Sequence, residues 1–355
     1  MPPHLRLTLV TLGDPHRLSG GYLYHLRLAE LAPGNDAEVH FASIPDRRVP
    51  FQLLANRQLV REVSVQQPDA VIVDSIAAAL LFPVRSWAER APLIASTHQP
   101  PGGFDGGLEQ RFRRHRDLAV YHRCRLLVAA SPLLAEELES SGLERDRILV
   151  VPPGRNPSDE PVEPVKDMRH GRRVAALCVA NWIPLKGIDC LLEAVATLPE
   201  HAVTLHLVGR TDVDAAHAAT IRRLLDRPDL RDRCIVHGPV TRTEVAAFYA
   251  GADVFVLPSF SDQYGTVYGE AMAAGLPVVG WRAGNLPNLA EHGKQGLVLE
   301  PGDVAGLADA LRPLADDQDF RGRLASAAAH RAAKLPTWRE SAARFFDAVR
   351  QAIAS

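Results

Sequence analysis

Two carboxylic acids stand eight positions apart in the segment PSFSDQYGTVYGEAMAAGLP, residues Pro258–Pro277. Asp262 lies in a polar loop after a run of strand formers, and Glu270 lies on the helix that the following residues predict. The first N–H groups of a helix have no partner within the helix and attract anions. Those N–H groups belong to Tyr264, Gly265, Thr266 and Val267. We expect them to be free for a phosphate, with both acids free to bind hydroxyls beside it, which indicates a nucleotide sugar.

Three further places carry residues suited to the same chemistry. Lys186 precedes a glycine at a predicted helix start, where its ammonium group could meet a diphosphate, although a lone lysine is usually a surface residue. His98 directly follows a predicted strand, and such histidines are as often structural as functional. Ser19, Gly20 and Gly21 open a helix after the first strand, where glycines allow close approach of a phosphate or acceptor; a plain tight turn is the alternative.

Weaker signals lie elsewhere in the chain. The loop containing Val240 could contact a nucleobase through its backbone. The Asp-x-Asp pattern in Thr211–Asp214 has the spacing of a metal site, but Thr and Asp before a helix favour a helix cap, and we assign no metal. The basic stretch Arg111–Arg125 could contact anionic lipids peripherally, and a solvated helix face is the simpler interpretation.

Strands alternate with helices along the chain, which is typical of parallel, doubly wound α/β sheets. Such sheets bind ligands at the carboxyl ends of their strands. The pattern predicts six strands before a proline-rich segment and six after it. The first six are Leu5–Leu12, Ala37–Ser43, Asp69–Ser75, Pro92–Thr97, Arg125–Ser131 and Arg147–Gly154, and the second six are Arg172–Ala180, Thr204–Gly209, Arg233–Gly238, Asp253–Pro258, Leu276–Gly280 and Gly296–Glu300.

The proline-rich segment Asn156–Gly171 has no periodicity and is interpreted as a linker between two domains. We place the domains at residues 1–160 and 161–336. The amphipathic helix predicted at Trp338–Ala354 could cap the second domain or return to the first, and we favour the return. Further helices are predicted at about Tyr22–Leu31 and Phe51–Val65.

Composition limits the possible functions. The chain has 355 residues, 46% hydrophobic and 23% charged, with 40 basic and 42 acidic residues, so no bulk charge favours nucleic acid. The N-terminus lacks the layout of a signal peptide, and no apolar run reaches about 20 residues. We expect free thiols and a cytoplasmic location, either free or peripheral at the inner face of a membrane. The cysteines are Cys124, Cys178, Cys190 and Cys234.

Several enzyme classes lose their usual support because their motifs do not occur in the sequence. We find no G-x-S-x-G elbow, no HExxH, no Walker A motif and no GxGxxG motif. Serine hydrolases, zinc proteases, P-loop NTPases and standard dehydrogenases are therefore disfavoured.

The chain resembles glycosyltransferases of family 4 (GT4), which have the GT-B fold of two Rossmann-like domains facing a cleft. The resemblance covers nearly the whole chain and is strongest in ADVFVLPSFSDQYGTVYGEAMAAGLPVVG and GKQGLVLEPGD. It is weaker in LKGIDCLLEA, in SPLLAEEL with RILVVPPG, and in the loop at Gly20 and Gly21.

The resemblance implies roles for individual residues. The E-x7-E element of the family falls on Asp262, expected to contact the donor sugar, and on Glu270, expected to contact the ribose. Lys186 matches the lysine that neutralises the leaving diphosphate, and His98 matches a histidine of the cleft. The Gly20-Gly21 loop is expected near phosphate and acceptor.

The sequence also departs from the family pattern. Asn181 stands where many relatives have an arginine five residues before the lysine, so one cation for the diphosphate is missing. Asp262 replaces a glutamate and is one methylene shorter. Asn288 and Ala283 replace an acid and a glycine of a later element.

The predicted activity is transfer of a hexose from a nucleotide diphosphate sugar, UDP- or GDP-linked rather than ADP-linked, to a hydroxyl acceptor. Lys186 and the helix dipole near Gly265 would stabilise the leaving phosphate without a metal or cofactor. The resemblance implies retention of the anomeric configuration. A GT-B epimerase or phosphorylase, and a non-catalytic partner subunit with this fold, are the alternatives.

Overall fold

The computed structural model describes residues 4–16, 20–46, 59–61, 63–81, 87, 89, 91–104, 107–155 and 162–354. The chain forms two compact units. Unit 1 comprises Met1–Gly154 and Pro336–Ser355, and unit 2 comprises Arg155–Leu335. Each unit contains one six-stranded sheet, and every strand pair in both sheets is parallel.

The sheet of unit 1 has the order β2-β1-β3-β4-β5-β6. Its strands are β1 Leu5–Leu12, β2 Ala37–Ile44, β3 Ala70–Asp74, β4 Leu93–Thr97, β5 Leu126–Ala129 and β6 Ile148–Val150. All six predicted strands are confirmed, although β6 ends well before the predicted Gly154. Pro152 and Pro153 have no N–H to donate to a neighbouring strand, which explains the early end. The strand order reverses between β1 and β3, where a ligand crevice is expected.

The helices of unit 1 are amphipathic or nearly so and follow their strands as predicted. They are α1 Gly20–Leu31, α2 Gly107–Tyr121 and α3 Pro132–Ser140. Ser131 caps the start of helix α3, and its hydroxyl accepts a hydrogen bond from the N–H of Leu134. Of the helix predicted near Phe51–Val65, residues 51–58 lie outside the described residues, and residues 59–61 and 63–66 are helical.

The sheet of unit 2 has the order β12-β11-β10-β7-β8-β9. Its strands are β7 Val174–Val179, β8 Val203–Val208, β9 Cys234–Gly238, β10 Val254–Leu257, β11 Val278–Trp281 and β12 Gly296–Leu299. All six were predicted. Counted from β7, the order is that of the Rossmann fold, and its reversal lies between β7 and β10. These two strands precede Lys186 and Asp262.

The helices of unit 2 cover both faces of this sheet and bury a continuous apolar core. They are α4 Ile188–Ala196, α5 Ala215–Leu225, α6 Arg242–Gly251, α7 Thr266–Ala273, α8 Leu286–Leu289, α9 Val304–Asp316 and α10 Gln318–Ala332. Strand and helix residues read as near-continuous hydrophobic runs because both sheet faces are covered.

The second half of the predicted linker is part of unit 2. Residues 156–161 lie outside the described residues. Val165 donates its N–H to the carbonyl of Ala247, and Met168 is buried in the core of unit 2. The carbonyl of Met168 also lies 2.7 Å from Nε2 of His206. The prolines and charged residues of this segment thus gave no sign in the sequence that it packs against unit 2.

The last helix, α11 (Trp338–Ala354), belongs to unit 1 although it follows unit 2 in the sequence. Its apolar face is buried, with Phe345 and Phe346 at most 1% exposed. Arg350 donates to the carbonyls of Asn35 and Asp36 beside β2. No helix among the described residues combines the length and apolarity needed to cross a bilayer.

Candidate functional site

The loops after β7 and β10 are joined backbone to backbone. Phe260 donates its N–H to the carbonyl of Leu185 at 2.8 Å. Gly187 has a φ of 61°, and a Cβ there would lie 2.2 Å from the carbonyl oxygen of Pro258. Only glycine tolerates this conformation and this approach. The two loops therefore hold their side chains at one place on the carboxyl edge of the sheet.

Lys186 and Asp262 form an ion pair at that place. Nζ of Lys186 lies 2.9 Å from Oδ2 of Asp262, and both side chains are largely buried. The other carboxylate oxygen, Oδ1, accepts the N–H groups of Gly265 at 2.9 Å and Tyr264 at 3.3 Å. The prediction that these two N–H groups are free is therefore wrong. An aspartate two or three residues upstream turns back onto the backbone and binds them.

The next N–H groups of the same helix start remain available. Thr266 and Val267 are the first residues of α7, and neither N–H has a hydrogen-bond acceptor among the described residues. Gly265 shapes this start with a φ of 68°, and a Cβ there would lie 2.5 Å from Leu289 Cδ1. The predicted anion site thus consists of two free N–H groups and one lysine that is already paired with a carboxylate.

Glu270 lies farther along α7 and has its own partners. The hydroxyl of Tyr249 donates to Oε2 of Glu270 at 3.4 Å and lies 3.3 Å from the carbonyl oxygen of Val267. Nη2 of Arg242 lies 3.9 Å from Oε1 of Glu270. Neither Tyr249 nor Arg242 was predicted, because each contacts α7 from a different helix, α6, more than 20 positions away in sequence.

The remaining predicted residues of unit 2 have mainly structural contacts. Asn181 accepts the N–H of Arg210 at 3.0 Å, which links the loops after β7 and β8. Val240 is half-buried against the core between β9 and α6. Asp214 accepts the N–H of His217 at 2.9 Å at the start of α5. The predicted helix cap is confirmed. Asp212 instead pairs with the side chain of Arg210.

In unit 1, the carboxyl ends of β1, β3 and β4 meet around Asp74, which is fully buried. Thr11 donates its hydroxyl to Oδ2 of Asp74 at 2.6 Å. Nδ1 of His25 lies 3.4 Å from Oδ2, and Nε2 of His98 lies 3.3 Å from Oδ1. Nε2 of His25 lies 2.8 Å from the hydroxyl of Ser96. His98 therefore belongs to a buried polar cluster.

The charges of this cluster are strongly perturbed. Burial favours a raised pKa for Asp74, but the neighbouring His98 and His25 outweigh it and lower the pKa to about 2. Burial lowers the pKa of His98 to about 4, although the charge of Asp74 opposes this shift. An anionic carboxylate and a neutral His98 imidazole are the forms present near neutral pH.

Gly21 lies against the ring of His98. A Cβ on Gly21 would lie 2.6 Å from His98 Nε2, so the glycine is required by the imidazole itself. Gly20 is the first residue of α1, and Ser19 lies outside the described residues. Phosphate or acceptor binding by these glycines stays a prediction.

Two members of the unit 1 cluster were not predicted. Asp74 ends β3 and could have been found by the rule that led to His98, namely a polar residue at a strand's carboxyl end. His25 lies within α1 and carries no local signal, because its partner Ser96 is 71 positions away.

A depression of about 1000 Å³ lies at the opposite end of the unit 2 strands. Its lining includes Arg169 and Asp253, which form a bidentate pair at 2.6 and 2.8 Å directly before β10. Because ligands of doubly wound sheets bind at the carboxyl ends, this depression is not the candidate site.

Comparison with known families covers most of the chain. Residues 6–159 match the sequence profile of Glycosyltransferase Family 4, and residues 173–317 match that of Glycosyl transferases group 1. The chain belongs to glycosyltransferase family 4. A D-inositol 3-phosphate glycosyltransferase of Xylanimonas cellulosilytica is 34% identical over 238 residues, which are 64% of this chain and 57% of that relative. The chain thus matches less than two thirds of the relative's length.

Solved structures share the fold of this family member at low sequence identity. Sucrose-phosphate synthase from Thermosynechococcus elongatus aligns with a TM-score of 0.86 at 21% identity, covering 99% of both chains. Anabaena HepE in complex with UDP-glucose aligns with a TM-score of 0.80 at 19% identity, covering 97% of this chain and 99% of that one. The predicted GT-B class, with two Rossmann-like parallel-sheet domains, is confirmed.

Proposed function

We propose that this chain transfers a hexosyl group from a nucleotide diphosphate sugar to a hydroxyl acceptor, with retention of the anomeric configuration. Family membership supports glycosyl transfer in general. The relative from Xylanimonas is named a D-inositol 3-phosphate glycosyltransferase, and Anabaena HepE is in complex with UDP-glucose. A UDP- or GDP-linked hexose is the donor that we infer for this chain.

One observation carries the proposal, namely that the site already holds an anion of its own. The carboxylate of Asp262 is bound by the ammonium group of Lys186 and by backbone N–H groups at the start of α7. These are the donors that bind phosphate oxygens in other proteins. The N–H groups of Thr266 and Val267, one and two residues further on, supply places for a second anion.

Donor binding would therefore change the partner of the Lys186 ammonium group. In the ligand-free chain its charge is neutralised by Asp262. A diphosphate bound at Thr266 and Val267 would draw the ammonium group toward the developing negative charge of the leaving group. Asp262, released from the lysine, would accept hydrogen bonds from sugar hydroxyls and favour positive charge at the anomeric carbon.

Glu270 is suited to bind the ribose hydroxyls. It lies on α7 beyond the phosphate-binding turn and is 28% exposed. Tyr249 and Arg242 hold its carboxylate from α6 and limit its rotation, so its oxygens are presented in one direction. Arg242 also adds a positive charge beside the nucleoside end of the donor.

Release of nucleoside diphosphate from a panel of UDP- and GDP-linked hexoses tests the proposal. We expect at least one donor to be hydrolysed slowly and transferred faster when an acceptor is supplied. Lys186→Ala should lower kcat by about 10² to 10³-fold, the usual effect of removing one charge-stabilising donor. Omitting Mg²⁺ should leave the rate unchanged, because the lysine and the helix start replace the metal.

Matched variants separate this reading from its alternatives. Lys166→Ala removes an exposed lysine of the same unit that pairs only with Glu163 among the described residues, and should retain full activity. A non-catalytic partner subunit would bind a nucleotide sugar without turning it over, and a phosphorylase would require inorganic phosphate. Failure of every nucleotide sugar to bind would overturn the proposal.

For the acceptor side, we propose that one face of α2 contacts an anionic lipid surface. Leu108, Arg111, Phe112 and His115 follow helical spacing and are all exposed, and Leu108 is 82% exposed. The guanidinium of Arg116 lies 4.8 Å from the ring centre of Phe112. An apolar stripe carrying arginines suits the interface of an anionic membrane.

Cosedimentation with vesicles tests this face. Binding to vesicles containing phosphatidylglycerol, and not to pure phosphatidylcholine vesicles, is expected, and Phe112→Ser should weaken it about tenfold. Val65→Ser changes another exposed apolar residue of unit 1 and serves as the control. Equal binding of the wild type and both variants, or no binding by any of them, would show that α2 presents an ordinary solvated face.

A further inference from the structure

We propose that His25, Asp74 and His98 of unit 1 form a binding site for a divalent transition-metal ion, with Zn²⁺ as the favoured ion. All three side chains are at least 91% buried. Their ligand atoms lie within 4.8 Å of one another, and no other set of three such residues in the described part of the chain does so. The site lies where β1 and β3 diverge and is separate from the donor site of unit 2.

The distances within the cluster fit a shared metal ion better than direct hydrogen bonds. The two histidine–carboxylate distances are 3.4 Å for His25 Nδ1 and 3.3 Å for His98 Nε2. Charge-assisted N–H···O hydrogen bonds are shorter, at about 2.7–2.9 Å. With zinc–nitrogen distances of about 2.0–2.1 Å, neighbouring ligands of a tetrahedral ion lie roughly 3.3 Å apart. Each imidazole faces a different oxygen of Asp74, as expected around one ion.

The charge of the cluster also favours a cation. Asp74 is fully buried, and its only ion pairs among the described residues are with the two histidines. A buried carboxylate without a compensating charge is strongly unfavourable. A divalent ion would neutralise it while leaving both histidines as neutral imidazoles, the form that ligates metals.

Outer contacts hold the ligands in the required orientation. The hydroxyl of Ser96 lies 2.8 Å from His25 Nε2, so a proton on Nε2 leaves the lone pair of Nδ1 directed at the cluster. Nδ1 is buried and makes no hydrogen bond with any described residue. Thr11 and the N–H of Ile76 bind the two oxygens of Asp74. Such second contacts fix the tautomer and orientation of metal ligands.

The two-histidine, one-carboxylate set indicates the class of ion. Imidazole suits Zn²⁺, Fe²⁺, Ni²⁺ and Cu²⁺, whereas Mg²⁺ and Ca²⁺ prefer oxygen ligands alone. Three protein ligands leave at least one coordination position open. The sequence predicted no metal, and this proposal departs from that expectation. The ion proposed here would fix the loop and helix that carry Gly21 and His98.

Metal analysis of the full chain without an affinity tag tests the site. We expect one Zn²⁺ per chain after purification, loss on dialysis against a chelator, and recovery on addition of Zn²⁺. Co²⁺ substitution should give the visible absorption bands of a four- or five-coordinate ion. His25→Gln should weaken Zn²⁺ binding at least tenfold, and Ser96→Ala should weaken it about tenfold without changing the stoichiometry.

A second histidine pair provides the matched control. Nδ1 of His206 lies 2.9 Å from Nε2 of His237 in unit 2, with no carboxylate in the group. His237→Gln should leave metal content unchanged. Circular dichroism at 25 °C shows whether His25→Gln is folded, and Ser96→Ala supplies the test if it is not. The proposed site would be refuted by a metal-free wild-type chain that does not take up Zn²⁺, or by Zn²⁺ binding that both variants retain. Either result is independent of the outcome of the transferase assay.

Discussion

Each unit carries a carboxylic acid at its strand reversal, but the two acids differ in burial and in their partners. Unit 1 places Asp74 there, fully buried between two histidines. Unit 2 places Asp262 there, 14% exposed and paired with a lysine that is itself 22% exposed. Asp74 ends β3 and Asp262 follows β10, and each of these strands lies beside the reversal of its sheet. The strand orders of the two sheets differ, and their reversals carry an enclosed polar cluster in unit 1 and an ion pair with some solvent exposure in unit 2.

The difference shows how burial limits what an acid at such a position can do. A lysine–carboxylate pair that keeps some solvent exposure can exchange partners when a stronger anion arrives. A fully enclosed carboxylate cannot exchange freely, because loss of its partners leaves a buried charge. Unit 2 is therefore suited to bind and release a substrate, and unit 1 to hold a fixed structure or ion.

Asp262→Asn should give the largest effect and tests whether the unit 2 pair exchanges. Without the carboxylate charge, Lys186 no longer has an internal competitor. We expect nucleoside diphosphate to bind about threefold more tightly, while kcat for sugar transfer falls about 100-fold because the sugar loses its acid. Titration calorimetry and steady-state kinetics measure the two quantities. Asp212→Asn, in an exposed pair of the same unit, should change neither, and weaker nucleotide binding by Asp262→Asn would refute the exchange.

Gly21→Ala tests how closely unit 1 is packed around its cluster. The added Cβ would lie 2.6 Å from His98 Nε2 and must displace a buried ring. We expect a loss of about 1–3 kcal/mol in the free energy of unfolding, measured by urea denaturation. Gly34→Ala has no atom within 4 Å of the new Cβ and should stay within about 0.5 kcal/mol of the wild type. Equal stabilities of the two variants would mean that the cluster is open.

A second buried acid of unit 1, Asp117, tests the role of cationic neighbours. It accepts the N–H of Gly102 at 2.8 Å, and burial raises its pKa to about 6, whereas Asp74 has a lowered pKa. The folded state binds the proton of Asp117 more tightly than the unfolded state does. Ionisation of Asp117 therefore lowers the free energy of unfolding of the protein as the pH rises from about 4 to 6. From pH 5 to 7, Asp117→Asn should gain about 1 kcal/mol relative to the wild type. Parallel urea-denaturation profiles against pH would contradict the raised pKa.

Tyr249→Phe should give the smallest effect and refines the description of unit 2. The hydroxyl contacts Glu270 and Val267 at 3.4 and 3.3 Å, which are long hydrogen bonds. We expect a loss of about 0.5 kcal/mol in stability and a two- to threefold rise in the donor KM, with kcat unchanged. Kinetics with a single nucleotide sugar are sufficient. A change in kcat alone would place Tyr249 at the reacting bond instead.

The fold was predictable because both sheets are covered on two faces. Their strands read as short apolar runs bounded by glycine, proline and polar residues, and all twelve were found from this pattern. The second half of the predicted linker packs against unit 2 through Val165 and Met168, apolar residues that stand singly among prolines and charges. No local pattern showed that it packs in a core.

The site was predictable only where function follows directly from position along a strand. Lys186, Asp262 and His98 were found because each follows a strand. The turn of Asp262 onto the N–H of Gly265 was not predicted, because it depends on a side-chain rotamer. His25 was missed because its partners come from strands far along the chain.

The place of α11 in unit 1 has a consequence for synthesis of the chain. Unit 2 is one continuous segment, so all of it leaves the ribosome before the last element of unit 1. Domains fold as units during synthesis, which means that unit 2 completes its core first. The surface of unit 1 that packs against Phe345 and Phe346 stays uncovered until α11 emerges. A stop codon between Pro336 and Phe345 would therefore leave a finished unit 2 attached to an incomplete, aggregation-prone unit 1.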